Sequence, residues 1–175
     1  MDFQRRMLVG ILGAIVAFLL QILLAPYIMI AHAMPNFVAV FIMLLAVTRP
    51  QTFGCVLPFV LGLIFDFVSG GPIGAMAFSL TLMGMVAARF FNTMNNDTLF
   101  MPLATMAVGL VLTEFIYGIF MLAMGYDAGV LSALFTRALP CGIYDSVFAC
   151  VLYPLAVRFF IDEGPTKPPI ADQLR

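Results

Sequence analysis

The sequence is poor in charge and contains no tryptophan, three cysteines and a single histidine. Only 10% of its 175 residues are charged, whereas a soluble domain carries about 25%. The eight basic residues are scattered and form no stripe, which excludes a nucleic-acid-binding domain. Cys55, Cys141 and Cys150 lack the spacing of a zinc site or redox pair. With His32 the only histidine, no Ser/His/Asp arrangement exists, so we predict no catalytic residue, metal or cofactor.

What the sequence has instead is long apolar runs, with 63% hydrophobic residues and a mean hydropathy of +1.11. A membrane-crossing helix needs about 20 apolar residues, which leaves room for six. The blocks run approximately over Met7–Ala31, Phe37–Val47, Phe53–Val68, Ala75–Phe91, Leu99–Met124 and Leu131–Ile161. We predict an all-α polytopic membrane protein, with a six-helix transmembrane bundle in residues 1–161 and an unstructured cytoplasmic tail in residues 162–175.

The second block is short for a crossing. A re-entrant loop with the third block would bury Arg49 near mid-membrane, at a cost of roughly 2.5–3.5 kcal/mol. We therefore predict two crossings, in which helix 2 also uses Ala33–Asn36 and Thr48.

The distribution of basic residues predicts that both termini lie inside. In that orientation only Arg137 falls outside, a strong positive-inside asymmetry. The basic residues that fall on the cytoplasmic side are Arg5, Arg6, Arg49, Arg89, Arg158, Lys167 and Arg175.

Intramembrane carboxylates are costly and therefore candidates for functional sites. Asp66 is expected at the outer end of helix 3, and Asp145 in the outer part of helix 6, two turns from Arg137. These three residues form a structural ion-pair cluster, form a contact for a partner or ligand, or are simply exposed at the outer membrane interface. Glu114 lies near the middle of helix 5 with no basic residue at comparable depth. We hypothesise that it lines an internal polar cavity or a heteromeric contact.

Small residues on helix 1 are candidates for close helix packing. Gly10 and Ala14 form one small-xxx-small pair, and Gly13 and Ala17 form a second. Packing within the bundle is the simpler explanation, because every polytopic bundle needs such faces.

The stretch from Pro35 to Ala77 resembles the rod shape-determining protein MreD family. Two departures are Pro-Asn where the family usually has Pro-Asp, and Pro58 close to the place of a glycine. The residues that carry the resemblance are Pro35-Asn36, Arg49-Pro50, Gly62-Leu63-Ile64-Phe65-Asp66, Gly71, Gly74 and Ala75-Met76-Ala77.

The resemblance implies a non-enzymatic adaptor of the bacterial cell-elongation complex in the inner (plasma) membrane. Its expected partners are MreC, through it the MreB cytoskeleton, and the glycan polymerase RodA with its class B penicillin-binding protein. The outer hairpin of helices 3 and 4, from Asp66 to Gly74, and the small-residue helix faces are the expected structural or partner contacts.

A substrate-binding subunit of an energy-coupling-factor vitamin transporter is the alternative, since the MreD family resembles the compact six-helix fold of those subunits. Asp66, Asp145 and Arg137 would then gather at the vitamin site. A polar ligand needs several convergent hydrogen-bonding groups, and helices 4 to 6 offer few on their outer halves.

Overall fold

The computed structural model describes residues 3–30, 33–93, 100–125, 129, 135 and 137–160. In this part of the chain all regular secondary structure is helical, which agrees with the predicted all-α class. The six helices are α1 (Phe3–Leu23), α2 (Phe37–Thr48), α3 (Val56–Ser69), α4 (Ala75–Thr93), α5 (Phe100–Ala123) and α6 (Leu139–Phe160). Helices α4, α5 and α6 are long and apolar enough to cross a membrane, which indicates a membrane protein. The predicted tail and His32 lie outside the described residues.

Prolines and an asparagine set the ends of the first two helices. The chain leaves α1 after Leu23 in a series of turns that contains Pro26, whose ring cannot continue a helix. Helix α2 begins only at Phe37, because Asn36 takes the N-cap position with φ −107° and ψ 83°. The prediction that Ala33–Asn36 extend helix 2 is therefore wrong, although Thr48 does belong to it.

Helix α2 lies at the centre of the bundle. Its 12 residues span about 18 Å, less than the roughly 30 Å hydrocarbon core. Every residue from Phe37 to Val47 is buried. The other five helices surround it: α3, α4, α5 and α6 pack side by side in chain order, and α1 lies against α2 and α6. Protein atoms therefore shield this short helix on all sides.

Glycines allow the closest helix approaches in this arrangement. A Cβ on Gly62 would lie 2.6 Å from the backbone nitrogen of Ala77, so α3 meets the first turn of α4 backbone to backbone. A Cβ on Gly142 would lie 2.8 Å from Cα of Val111, which brings α6 equally close to α5. On α1, Ala14 and Ala17 are buried against the bundle, whereas a Cβ on Gly10 would meet nothing within 4 Å.

Candidate functional site: a buried polar layer

Asp66 caps the first turn of α4 from the neighbouring helix α3. Its Oδ2 atom accepts hydrogen bonds from the backbone N–H groups of Gly74 at 2.9 Å, Met76 at 3.1 Å and Ala77 at 3.3 Å. The side chain is buried, with 1% of its surface exposed. The first N–H groups of a helix have no partner within the helix and attract negative charge. This carboxylate therefore satisfies the buried start of α4.

The sequence Gly62 to Gly74 builds this cap. Gly62 lies one turn before Asp66 on α3 and lets the backbones of α3 and α4 meet. Gly70 and Gly74 have φ values of +68° and +92°, a left-handed conformation that side chains disfavour. A Cβ on Gly71 would collide with the hydroxyl group of Tyr117 on α5. Each glycine thus has a conformational or steric reason for its position in the hairpin.

Asn36 holds the start of α2 in a second hydrogen-bonded cluster. Its backbone N–H donates to Oδ1 of Asp145 on α6 at 2.6 Å. Its side-chain Nδ2 donates to Oε1 of Glu114 on α5 at 3.1 Å. Its own Oδ1 accepts the N–H of Ala39 at 3.0 Å, the usual N-cap bond. One residue therefore connects α2, α5 and α6.

Gln21 completes the capping of α2 from α1. The N–H of Phe37 donates to its Oε1 at 2.7 Å, and its Nε2 donates to the carbonyl oxygen of Pro35 at 3.2 Å. Gln21 was not among the predicted site residues. Its signal was present as the one polar side chain inside the first apolar block, where an amide needs a partner.

Met76 joins the two clusters. Its N–H donates to Asp66 at 3.1 Å, and its sulfur lies 3.8 Å from Nδ2 of Asn36 as an acceptor. All the capping side chains are buried, with at most 7% of their surface exposed. We call this set the buried polar layer; its members are Gln21, Asn36, Asp66, Glu114 and Asp145.

The layer gathers four of the predicted site residues but pairs them differently from the expected ion-pair cluster. Asp66 and Asp145 accept hydrogen bonds from backbone amides, and Oδ2 of Asp145 is buried with no hydrogen-bond partner among the described residues. Arg137 lies in the helical turn before α6 with an exposed side chain. Glu114 accepts a hydrogen bond from the Asn36 amide, and the hydroxyl group of the adjacent Thr113 donates to the carbonyl oxygen of Gly109.

The polar layer is better suited to hold the helices of the bundle together than to react with a substrate. The carboxylates Asp66, Glu114 and Asp145 serve as acceptors for internal donors, and Pro35 offers its carbonyl to Gln21. Among the described residues, no group of three or more His, Cys, Asp or Glu side chains could hold a metal ion.

Beside the Asp66 cap, the α3–α4 hairpin has an exposed apolar surface. Phe67 and Ile73 expose 65% and 69% of their surfaces. They border a shallow hollow of about 470 Å³ that Met124 and Pro72 also line. Exposed apolar groups of this kind mark contacts with lipid or protein.

Comparison with protein families matches residues 1–161 to the rod shape-determining protein MreD. Neither the curated proteins nor the solved structures contain a significant match. The matched segment includes all six helices and the complete buried polar layer. The chain therefore belongs to the MreD family of rod shape-determining proteins.

Proposed function

We propose that this protein acts as a non-enzymatic membrane adaptor in the bacterial cell-elongation complex. Membership of the MreD family, which covers residues 1–161, is the observation that carries this proposal. In it, the bundle binds MreC and through MreC connects to the MreB cytoskeleton. It also meets RodA and the class B penicillin-binding protein, so that filament position guides wall synthesis.

The proposed setting is the inner membrane, with six crossings and both termini in the cytoplasm. The order of the helices supports this topology, because Arg49 follows α2, Arg89 lies near the end of α4 and Arg158 near the end of α6. Arg5 and Arg6 lie in the first turn of α1. In an alternating bundle these positions share one end, and a basic end faces the cytoplasm.

The outer hairpin is the proposed contact for the extracytoplasmic partners. Phe67 and Ile73 are exposed beside a backbone that Asp66, Gly71 and Gly74 hold in one shape. A fixed loop with exposed apolar side chains loses little entropy on binding, which favours recognition. In this view the polar layer acts indirectly, by keeping the hairpin in its binding geometry.

The observed hydrogen bonds weigh against the vitamin-transporter alternative. Asp66 and Asp145, which would have to recognise a vitamin, are occupied by the amides of α4 and of Asn36. The hollow at the hairpin is lined mainly by apolar atoms, whereas a polar ligand needs several convergent polar groups.

A photo-crosslinking experiment tests the proposal. A photoreactive amino acid replaces Ile73 in the tagged protein, expressed in its native membrane as the chromosomal copy. Val108, an apolar α5 residue that is 59% exposed, provides the matched control site. Mass spectrometry of the adducts is expected to identify MreC, RodA or the penicillin-binding protein at Ile73 and not at Val108.

Gentle-detergent purification of the unmodified protein gives the second measurement. Co-purification of the elongation proteins supports the adaptor role. Recovery of a transporter's transmembrane and ATPase subunits, or of a bound vitamin, would refute it. A normal rod shape in cells that lack the protein would also contradict the role that its family implies.

A further inference from the structure

The ring of helices around α2 has a cleft between α1 and α3. It encloses about 340 Å³ and is lined by the first turns of α1, the end of α2 and the loop that leads into α3. A Cβ on Gly10 or Gly54 would meet nothing within 4 Å, so the space beside these glycines is open. We call this space the inner cleft, after the basic end of the bundle at which it lies.

The walls of the inner cleft combine an apolar surface with one cation. Arg49 is the charged residue among those that line it, and Thr52 adds a hydroxyl group. The rim is apolar, since Ile11 and Val56 expose 52% and 72% of their surfaces. A ligand that fits this wall must carry a negative group and an apolar chain in the same molecule.

We propose that the inner cleft binds one anionic phospholipid, whose phosphate pairs with Arg49 and whose acyl chain lies along Gly10 and the apolar rim. Arginine binds phosphate through a planar fork of N–H groups. Its five donors allow this bond in addition to the contacts that Arg49 makes within the chain. Basic pockets between membrane helices on the cytoplasmic side are a recurrent kind of lipid-headgroup site.

The site is independent of the proposed adaptor function, because it lies at the opposite end of the bundle from the outer hairpin. Its occupant would fill the gap between α1 and α3 and fix α1, which packs against α2 and α6. A lipid in this position would act as a structural part of the protein.

Native mass spectrometry of the purified full chain tests this assignment. The protein in dodecyl maltoside is titrated with dioleoylphosphatidylglycerol or with dioleoylphosphatidylcholine. We expect one tightly bound phosphatidylglycerol. The protein should bind it about fivefold more tightly than phosphatidylcholine, which is the contribution expected from a single cation. Arg49→Gln is expected to abolish this preference. Arg89→Gln, which removes an exposed cation at the same end but outside the cleft, should preserve it.

A second variant keeps the test decisive if Arg49→Gln does not fold. Gly10→Leu places a side chain in the open space while retaining Arg49, and it should reduce binding of phosphatidylglycerol at least fivefold. An unchanged lipid preference in folded Arg49→Gln, or an unchanged affinity for phosphatidylglycerol in folded Gly10→Leu, would overturn the proposal. Displacement of the bound lipid by an equal concentration of glycerol 3-phosphate would also overturn it, because the acyl chain would then contribute nothing.

Discussion

Replacing Asp66 by alanine should strongly destabilise the α3–α4 hairpin. The change removes the acceptor of three backbone N–H groups, those of Gly74, Met76 and Ala77. Leaving a buried donor without a partner costs roughly 1–3 kcal/mol, and loss of an N-cap costs about 0.5–2 kcal/mol. Because the outermost amide can reach water, we expect a loss of about 3 kcal/mol in the free energy of unfolding.

The free energy of unfolding of Asp66→Asn should lie between those of the wild type and Asp66→Ala. A carbonyl oxygen in the place of Oδ2 can still accept from Gly74 and Ala77, whereas the charge that favours a helix N-terminus is lost. We expect a cost of about 1–2 kcal/mol for this variant. Ser69→Ala provides the control, because this exposed hydroxyl group bonds the carbonyl oxygen of Asp66 at 3.4 Å and the hydroxyl group of Tyr117, and its loss leaves the three amides with their acceptor.

The assay is reversible unfolding in mixed micelles by titration with sodium dodecyl sulfate. The protein has no tryptophan, so helix content is followed by far-ultraviolet circular dichroism. The expected order of stability is wild type and Ser69→Ala, then Asp66→Asn, then Asp66→Ala. A free energy of unfolding for Asp66→Ala within about 0.5 kcal/mol of the wild-type value, as for a neutral surface change, would refute the proposed capping role of Asp66.

Three further predictions use the same unfolding assay. Gly62→Ala should cost about 1–3 kcal/mol by overpacking against Ala77, whereas Gly54→Ala, with open space around its Cβ, should be neutral; equal effects would contradict the packing argument. Asn36→Leu should cost about 2–4 kcal/mol because it removes the amide bond to Glu114 and the N-cap bond, and a neutral result would exclude Asn36 as the connecting residue. Glu114→Gln keeps an acceptor for that amide, so its free energy of unfolding should fall less than that of Asn36→Leu. A larger fall would indicate a role for the charge itself.

Much of the fold follows from the linear distribution of apolar residues. Long runs without charge can only form helices in lipid, because each backbone group must find its partner within the segment. That constraint placed the start of the fourth block at Ala75, where α4 begins, and the start of the fifth block at Leu99, one residue before α5 begins at Phe100. It also identified Asp66, Glu114 and Asp145 as unusual, since burying a carboxylate needs a compensating partner.

The partners themselves were decided only by the tertiary structure. Asp145 lies 109 residues from Asn36 in the sequence and 2.6 Å from its amide in space, and no local pattern encodes that approach. The same is true of Gln21, whose apolar neighbours in the sequence give no sign that its side chain caps the start of α2. The sequence determines that buried polar groups need partners, because an unsatisfied donor or acceptor in an apolar interior is costly. Only the packing of five helices around α2 determines which group satisfies which.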